Sequence, residues 1–384
     1  MDKQKLIALL QKSEGTKLDF KAQLSLKTDS EKKELAKDVT AIANSRGGRG
    51  YIVFGIADKT KKILGIVDKK YSEEQIQQII SQRCDPPVTI RYDAVDIDEK
   101  EVGVLTIYKS SQKPHQIRQS GAFYIRRGST TDIARREEIA NMLQESGILQ
   151  HERVVLHNAD TAELDDALIS EYIAKTGLAS NTEDYYTLLD GIGIVGRDED
   201  SSRYHPTVGG LLVFGYNPQK YLPQAGIRVI NNYARHKVEY FTGSIIKLLD
   251  GVETYLKDNI NDEDYPVDAV VDAVANAAVH RDYFTYEREI VVFIRKDKIE
   301  ISNPGAMCGE DDTAYLIEEA NPCRRNQWLY QRLLVIDNKK RFLKSGLGIK
   351  RMQEAFKQLG GVEFISYDRR NLFKVICPGP QSMK

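Results

Sequence analysis

One stretch constrains the chain more than any other. The residues around Asp272–Tyr283 carry apolar Val270, Val271, Val274, Ala277 and Ala278 at helical spacing. Asp272, Asn276 and His280 fall four residues apart, on one stripe of that same helix. A carboxylate, an amide and an imidazole on an otherwise Ala/Val helix mean either a polar outer face or a lined site. The downstream residues favour a site. Two short strand-like runs, Ile290–Arg295 and Lys298–Ser302, lead to Asn303-Pro304-Gly305. A polar segment comes next, and Gly346-Leu347-Gly348-Ile349 then opens another helix. Backbone N–H groups at a Gly-rich helix start suit an anion. An Asn carbonyl and phosphate oxygens suit Mg2+.

These pieces resemble the GHKL (Bergerat) ATP-binding fold. His280-Arg281-Asp282-Tyr283, Asn303-Pro304-Gly305 and Gly346-Leu347-Gly348-Ile349-Lys350-Arg351-Met352 are similar to its ATPase-like branch in bacterial ATP-binding proteins and transcriptional regulators. The resemblance implies that Asn276 holds Mg2+ on the triphosphate and that Asp272 orients the attacking water. It implies that the turn at Asn303 and Gly305 reads adenine, and that Gly346, Gly348 and Lys350 wrap the phosphates. Two positions depart from the pattern: Asp272 stands where Glu is usual, and Asn303 where an adenine-reading Asp is expected. Nucleotide binding is therefore better supported than hydrolysis. Glu310–Ala314 is expected to be a lid over ATP. Arg324 or Arg325 either touches the γ-phosphate or caps the helix Gln327–Leu334.

The 384 residues suffice for two or three domains with their own cores. A net charge of -1 provides no global basic field, so nucleic acid would need a local patch. The apolar runs are too short to span a bilayer, and Met1–Lys5 lacks the apolar core of a leader. Cys84, Cys308, Cys323 and Cys377 show no paired spacing, so neither disulfides nor zinc is indicated and a cytoplasmic location is expected.

The first 150 residues read as an α+β domain. Leu18 and Phe20 alternate with Asp19 and Lys21 in a short strand. Ser30–Ser45 is a helix with Ser30 as its cap and Leu35, Val39, Ile42 and Ala43 as its buried stripe. Tyr51–Ile56 is a buried strand that ends at Ala57-Asp58. The helices Ser72–Arg83 and Glu137–Leu143 and three further strands complete the domain.

Glu14 with Leu18-Asp19-Phe20-Lys21, then Ala43-Asn44-Ser45-Arg46-Gly47-Gly48, Phe54-Gly55-Ile56-Ala57-Asp58 and Phe123–Ser129 resemble the Schlafen core, the AlbA-type domain. That resemblance implies a metal-dependent RNA-cleaving site at Glu14, Asp19 and Asp58, with Asp19 again shorter than the usual Glu. Three carboxylates are the minimum for holding Mg2+ or Mn2+ at a phosphodiester. Lys21 would then steady the phosphorane charge. Arg46, Arg49, Arg126 and Arg127 are candidate phosphate contacts. The plainer alternative makes Asp19–Lys21 a surface ion pair and Asp58 a turn residue.

Gly191-Ile192-Gly193-Ile194-Val195-Gly196 satisfies GxGxxG, yet no strand precedes it and polar Arg197–Arg203 comes after it. A turn and a short strand is the expected structure. The expected organisation is a Schlafen-like mixed α/β domain at 1–150, a linker and middle region at 151–243 packing beside the ATP domain, and a GHKL-like α/β sandwich at 244–384. Relatives often carry a winged helix after the ATPase-like part, whereas only Cys377–Lys384 lies beyond the last expected strand. The functional expectation is a divalent-metal nuclease on tRNA-like RNA or single-stranded DNA, regulated by ATP and homodimeric, in a phage-defence or stress role by analogy alone. The alternatives are a non-cleaving ATP-responsive DNA-binding regulator, and an ATPase whose first domain is an interaction module.

Overall fold

The computed structural model describes residues 1–58, 60–66, 71–178, 184–233, 236–260, 264–306, 325–342, 347–367 and 370–383. The chain is mixed α/β and divides into two compact units, Met1–Leu149 and Gln150–Lys384.

In the first unit, β1 (Leu18–Lys21), β2 (Gly50–Phe54), β4 (Ile90–Ile97) and β5 (Lys100–Ile107) form a sheet in the order β1-β2-β5-β4. The β1–β2 pair is parallel and the others antiparallel. Both faces are covered. Ile52 and Phe54 join the core under α2 (Asp29–Asn44) and α3 (Glu73–Arg83), while Val53 packs with Leu6 and Leu9 of α1 (Lys3–Leu10). Leu18 and Phe20 belong to the α1 side. By alternation Asp19 and Lys21 point toward α2, which buries Asp19 and leaves Lys21 partly covered. Gly50 is required by space, because a Cβ there would lie 2.1 Å from Ile42 Cγ2. The short pairs β3 (Cys84–Asp85) with β6 (Gln116–Ile117), and β7 (Tyr124–Arg127) with β8 (Thr130–Ile133), precede α4 (Arg136–Glu145).

The cap of α2 is Thr28 rather than Ser30. The Thr28 hydroxyl accepts the Glu31 amide while Glu31 reaches back to the Thr28 amide, a reciprocal box that Ser30 is too late to form.

The second unit begins with α5 (Asp166–Thr176), α6 (Tyr185–Gly191), the hairpin β9 (Val195–Arg197) and β10 (Tyr204–Pro206), and the fully buried α7 (Val208–Phe214). The GxGxxG string is thus a helix end, a turn at Gly193 with φ of +78°, and a short strand. A six-stranded sheet comes next, in the order β12-β11-β13-β14-β16-β15. Its strands are β11 (Ile227–Asn231), β12 (Lys237–Phe241), β13 (Ile290–Ile294), β14 (Lys298–Pro304), β15 (Glu363–Tyr367) and β16 (Leu372–Pro378). The helices α8 (Ile245–Asn259), α9 (Val267–His280), α10 (Gln327–Ile336) and α11 (Leu347–Ala355) complete the unit.

Two strands from the stretch expected to pack beside the nucleotide domain, β11 and β12, are instead hydrogen-bonded into its sheet. β11 runs parallel to β13, with Val229 opposite Val292. The physical reason is edge coverage: β13 alone would expose an unpaired ladder next to a large apolar face. Helix α9 packs against both α8 and α11 and lies on β13 and β14. No helix among the described residues is long and apolar enough to cross a membrane.

Inside this core His151 packs on Phe284, ring centroids 4.0 Å apart and tilted by 39°, and neither imidazole nitrogen has a hydrogen-bond partner. Burial pushes its pKa down to about 4. The folded chain therefore binds fewer protons than the unfolded chain between about pH 4 and 6.5. Stability rises with pH through that window and carries no penalty above it. His151→Phe is expected to remove an acid-side loss of about 3 kcal/mol. Urea unfolding at pH 7.5 and pH 4.5 reads the difference.

Candidate functional site

In the first unit the candidate acids are held by other side chains. Glu14 Oε1 accepts the Phe20 amide at 2.9 Å. Asp19 is buried, with Oδ1 accepting from Arg126 Nη2 at 2.9 Å and Oδ2 lying 3.4 Å from Lys21 Nζ. Lys21 Nζ is 2.6 Å from Asp38 Oδ2, so an ammonium already sits between two carboxylates where a cation would. Burial opposes the charge on Lys21, but the Asp38 and Asp19 carboxylates outweigh it and raise the pKa; burial raises that of Asp38. Asp58 is exposed on the turn after β2. Glu14, Asp19 and Asp58 do not bring ligand oxygens within 4.8 Å of one another, so the structure does not assemble the expected metal triad.

Asp38 was missing from the sequence-derived set. It lies three residues after Leu35 and four before Ile42, so helical spacing alone put it on the buried stripe of α2.

Two of the four arginines expected on phosphate are used internally. Arg126 is buried on Asp19, and its amide donates to Ser45 Oγ at 2.8 Å. Arg127 is bidentate on Glu138 at 2.7 and 2.9 Å, because α4 brings that carboxylate beneath β7. Arg46 Nε lies 3.6 Å from Glu145, a looser pairing. Arg49 is exposed, its guanidinium over the Tyr108 ring at 5.2 Å, a cation and an aromatic face presented together.

In the second unit α9 ends at His280, and Arg281 leaves the helix into extended backbone. Asp272 is buried, its Oδ2 has no hydrogen-bond partner, and Arg351 Nε stands 3.5 Å away. Burial pushes its pKa up to about 6, against the pull of Arg351. One turn on, Asn276 is half-buried, and a Cβ on Gly348 at the start of α11 would lie 3.4 Å from its Nδ2. The family-typical Asn and the second glycine of the late motif are therefore neighbours. Lys350 is exposed on α11.

β14 turns Ile299, Ile301 and Asn303 to the helix-covered face. Asn303 is buried beneath α9's side of the sheet, and its Oδ1 has no partner. Gly305 has φ of +121°, and a Cβ there would come within 3.1 Å of the Asp282 amide nitrogen. Asp282 accepts from Phe284 N at 3.1 Å, Thr285 Oγ1 at 3.2 Å and Asn371 Nδ2 at 2.6 Å. Asn371 in turn accepts the Ala306 amide on its side chain and the Gly305 amide on its carbonyl. His280 is half-buried. Arg325 Nη2 donates to the Ala306 carbonyl at 2.7 Å and Nη1 lies 3.8 Å from Asp282, so it braces this turn. Gly346, Arg324, Lys344 and the expected lid at 310–314 lie outside the described residues.

The residues present fit ATP–Mg2+. Buried oxygens without a hydrogen bond are costly unless something bound satisfies them; Asn303 Oδ1 and Asp272 Oδ2 both lack one, the latter having only Arg351 Nε at 3.5 Å. Sequence reading missed Asn371, the clamp on the turn. It stands at φ of +48°, a left-handed conformation that Asn tolerates, but an isolated Asn before a strand gives no signal of a partner so distant in sequence.

Fold and site together define a two-unit α/β protein: a covered four-stranded sheet with an internal charge cluster, then a nucleotide-type helix and glycine turn on a six-stranded sheet. Residues 14–135 match the family model described as Schlafen, AlbA_2, and residues 287–377 match the model described as Putative ATP-dependent DNA helicase recG C-terminal. The chain thus carries a Schlafen AlbA-type domain followed by an ATPase-like domain of the RecG C-terminal kind. Helix α9, with Asp272 and Asn276, precedes the second matched stretch.

Among solved structures, the crystal structure of the DIP2311 protein from Corynebacterium diphtheriae is 19% identical, covers 97% of this chain and 68% of its own, and has a TM-score of 0.43. The solution NMR structure of the N-terminal domain of a Putative ATP-dependent DNA Helicase RecG-related Protein from Nitrosomonas europaea is 18% identical, with coverage of 33% of this chain and 88% of that one and a TM-score of 0.24. No match was found among curated proteins.

Proposed function

We propose that the protein binds ATP–Mg2+ through its C-terminal unit and nucleic acid through its N-terminal unit, and that ATP sets its nucleic-acid affinity without cleavage. The observation that carries the ATP reading is the pair of buried oxygens on Asp272 and Asn303 that no hydrogen bond satisfies, beside the close approach of Asn276 and Gly348. In this reading the Asn276 amide supplies an oxygen to Mg2+, which neutralises triphosphate charge. Asn303 takes a donor from the base, and the start of α11 offers N–H groups to phosphate. The nucleic-acid reading is supported by the Schlafen AlbA_2 match and by exposed Arg49 over Tyr108. The absence of cleavage is supported by Asp19, Lys21, Asp38 and Arg126 neutralising one another.

The test uses the full chain. Calorimetry with ATP–Mg2+ is expected to show one site, lost in Asn276→Ala. Labelled RNA and single-stranded DNA are then titrated across salt, with and without ATP–Mg2+. Binding is expected to weaken with salt, and Arg49→Ala to reduce the salt slope by about one. Incubation with Mn2+ decides between this reading and the nuclease one: cleavage that Glu14→Ala or Asp58→Ala abolishes would establish the nuclease.

A further inference from the structure

We propose that His157, Asp198 and His205 form a divalent transition-metal site of the Zn2+ class on the C-terminal unit. One ligand atom from each lies within 4.8 Å of the other two. Three separate segments bring them there. His205 is in β10, opposite Gly196 of β9. Asp198 directly follows β9, and its amide donates to the Arg203 carbonyl at 2.8 Å to close the hairpin. The Leu156 amide donates to the Pro206 carbonyl at 2.9 Å, which lays His157 alongside β10.

The side chains are already oriented as ligands. His205 Nδ1 is 2.8 Å from the Ala159 carbonyl. A carbonyl only accepts, so Nδ1 carries the proton and Nε2 keeps its lone pair. That outer-shell tie is the one metal-binding imidazoles use to fix their tautomer. Asp198 Oδ1 accepts the Asp200 and Ser201 amides, each at 2.9 Å. This leaves Oδ2 directed at His157 Nδ1, 3.3 Å away. The His157 ring stands edge-on to His205 with centroids 5.6 Å apart.

An ordinary surface ion pair explains the His157–Asp198 contact alone. It does not explain a second imidazole that is tied through Nδ1 to a backbone carbonyl and has a ring nitrogen in the same cluster. Two neutral imidazoles and one carboxylate are a set that Zn2+ accepts, with water in the open fourth position. Mg2+ prefers an all-oxygen octahedron and is the control. Tetrahedral ligands at about 2.0–2.1 Å from the metal stand closer together than 4.8 Å, and rotation of the exposed His157 supplies the closure. The bound ion would staple the segment around His157 to the β9–β10 hairpin, independently of the nucleotide site.

The test is direct. Full-length protein is stripped with chelator and titrated with Zn2+ by calorimetry, then with Co2+ by visible absorption. One equivalent of Zn2+ and the d–d bands of tetrahedral Co2+ are expected, unaffected by excess Mg2+. His157→Gln and His205→Gln are expected each to weaken Zn2+ binding by about tenfold or more. Asp198→Asn keeps the turn's amide contacts and isolates loss of the carboxylate. His157→Gln alters an exposed side chain, so its folding is secure. Absence of Zn2+ uptake, or unchanged stoichiometry and affinity in the double histidine variant, would overturn the proposal.

Discussion

Asp272→Asn is expected to make the ligand-free protein more stable, by about 2 kcal/mol above pH 6 once solvent screening is allowed for. The wild-type carboxylate is buried and its Oδ2 has no hydrogen-bond partner, and burial holds its pKa near 6. The unfolded chain ionises at 3.8, so the folded chain holds the extra proton between 3.8 and about 6. Stability therefore falls as pH rises through that window, and the cost is fully present above it. The amide does not titrate, so the gain appears above pH 6 and disappears below about 4. A rise in Tm of about 4–8 °C at pH 7.5 is the size to look for by calorimetry. An unchanged or lower Tm would mean that Arg351 already compensates the charge. A chain that keeps a carboxylate at this cost has a use for it, which is why the same variant belongs in ATP-turnover assays.

Arg281→Met is expected to have the opposite and larger effect. Arg281 is fully buried and donates to the carbonyls of Asp282 and Thr285 at 2.7 Å and of Arg288 at 2.5 Å. Its guanidinium also packs over the Tyr283 ring at 5.0 Å. Methionine fills much of the volume but removes the guanidinium donor from the part-buried Thr285 and Arg288 carbonyls and leaves Asp282 with the Thr285 amide alone, a loss of about 3–5 kcal/mol. A fall in Tm of roughly 10 °C is expected. Lysine is not expected to rescue it, because a point ammonium cannot span three acceptors held by a planar fork. Asp282 lies inside the segment that Arg281 ties down and holds Asn371 against the glycine turn, so ATP affinity should fall as well. Retained ATP affinity in a destabilised variant would separate the loop from the turn.

His151 and Asp272 pull in opposite directions between pH 4 and 6. The imidazole loses stability as pH falls and the carboxylate recovers it. A flat wild-type stability profile in that range would thus conceal two slopes, each visible only in its own variant.

The placement of the second set of residues was legible in the sequence because they sit on regular elements. Asp272 and Asn276 are one turn apart on a helix whose apolar stripe fixes its orientation, and Asn303 continues the inward run of Ile299 and Ile301. The surroundings of the first set of residues were not legible, for a physical reason. Alternation placed Asp19 and Lys21 on the face away from Leu18 and Phe20, but only the tertiary fold shows that α2 covers that face. Once it does, the charges must pair internally, and Arg126 and Asp38 are recruited from distant positions. The strands β10 and β12 were not evident: Tyr204–Pro206 is too short to show a two-residue period, and the alternation in Lys237–Phe241 puts the apolar Val238 and Tyr240 on the exposed face. Their partners, rather than their own residues, make them strands.

The turn at Gly305 is held by Asn371, which stands at the threshold of the final strand. Synthesis runs from the N-terminus, so α9 and the glycine turn leave the ribosome well before their clamp does. The proposed nucleotide site is therefore among the last features to mature, and a chain halted short of the β15–β16 hairpin carries its helix but not its finished turn. Capture of ATP would report that translation and folding had both reached the end of the sheet.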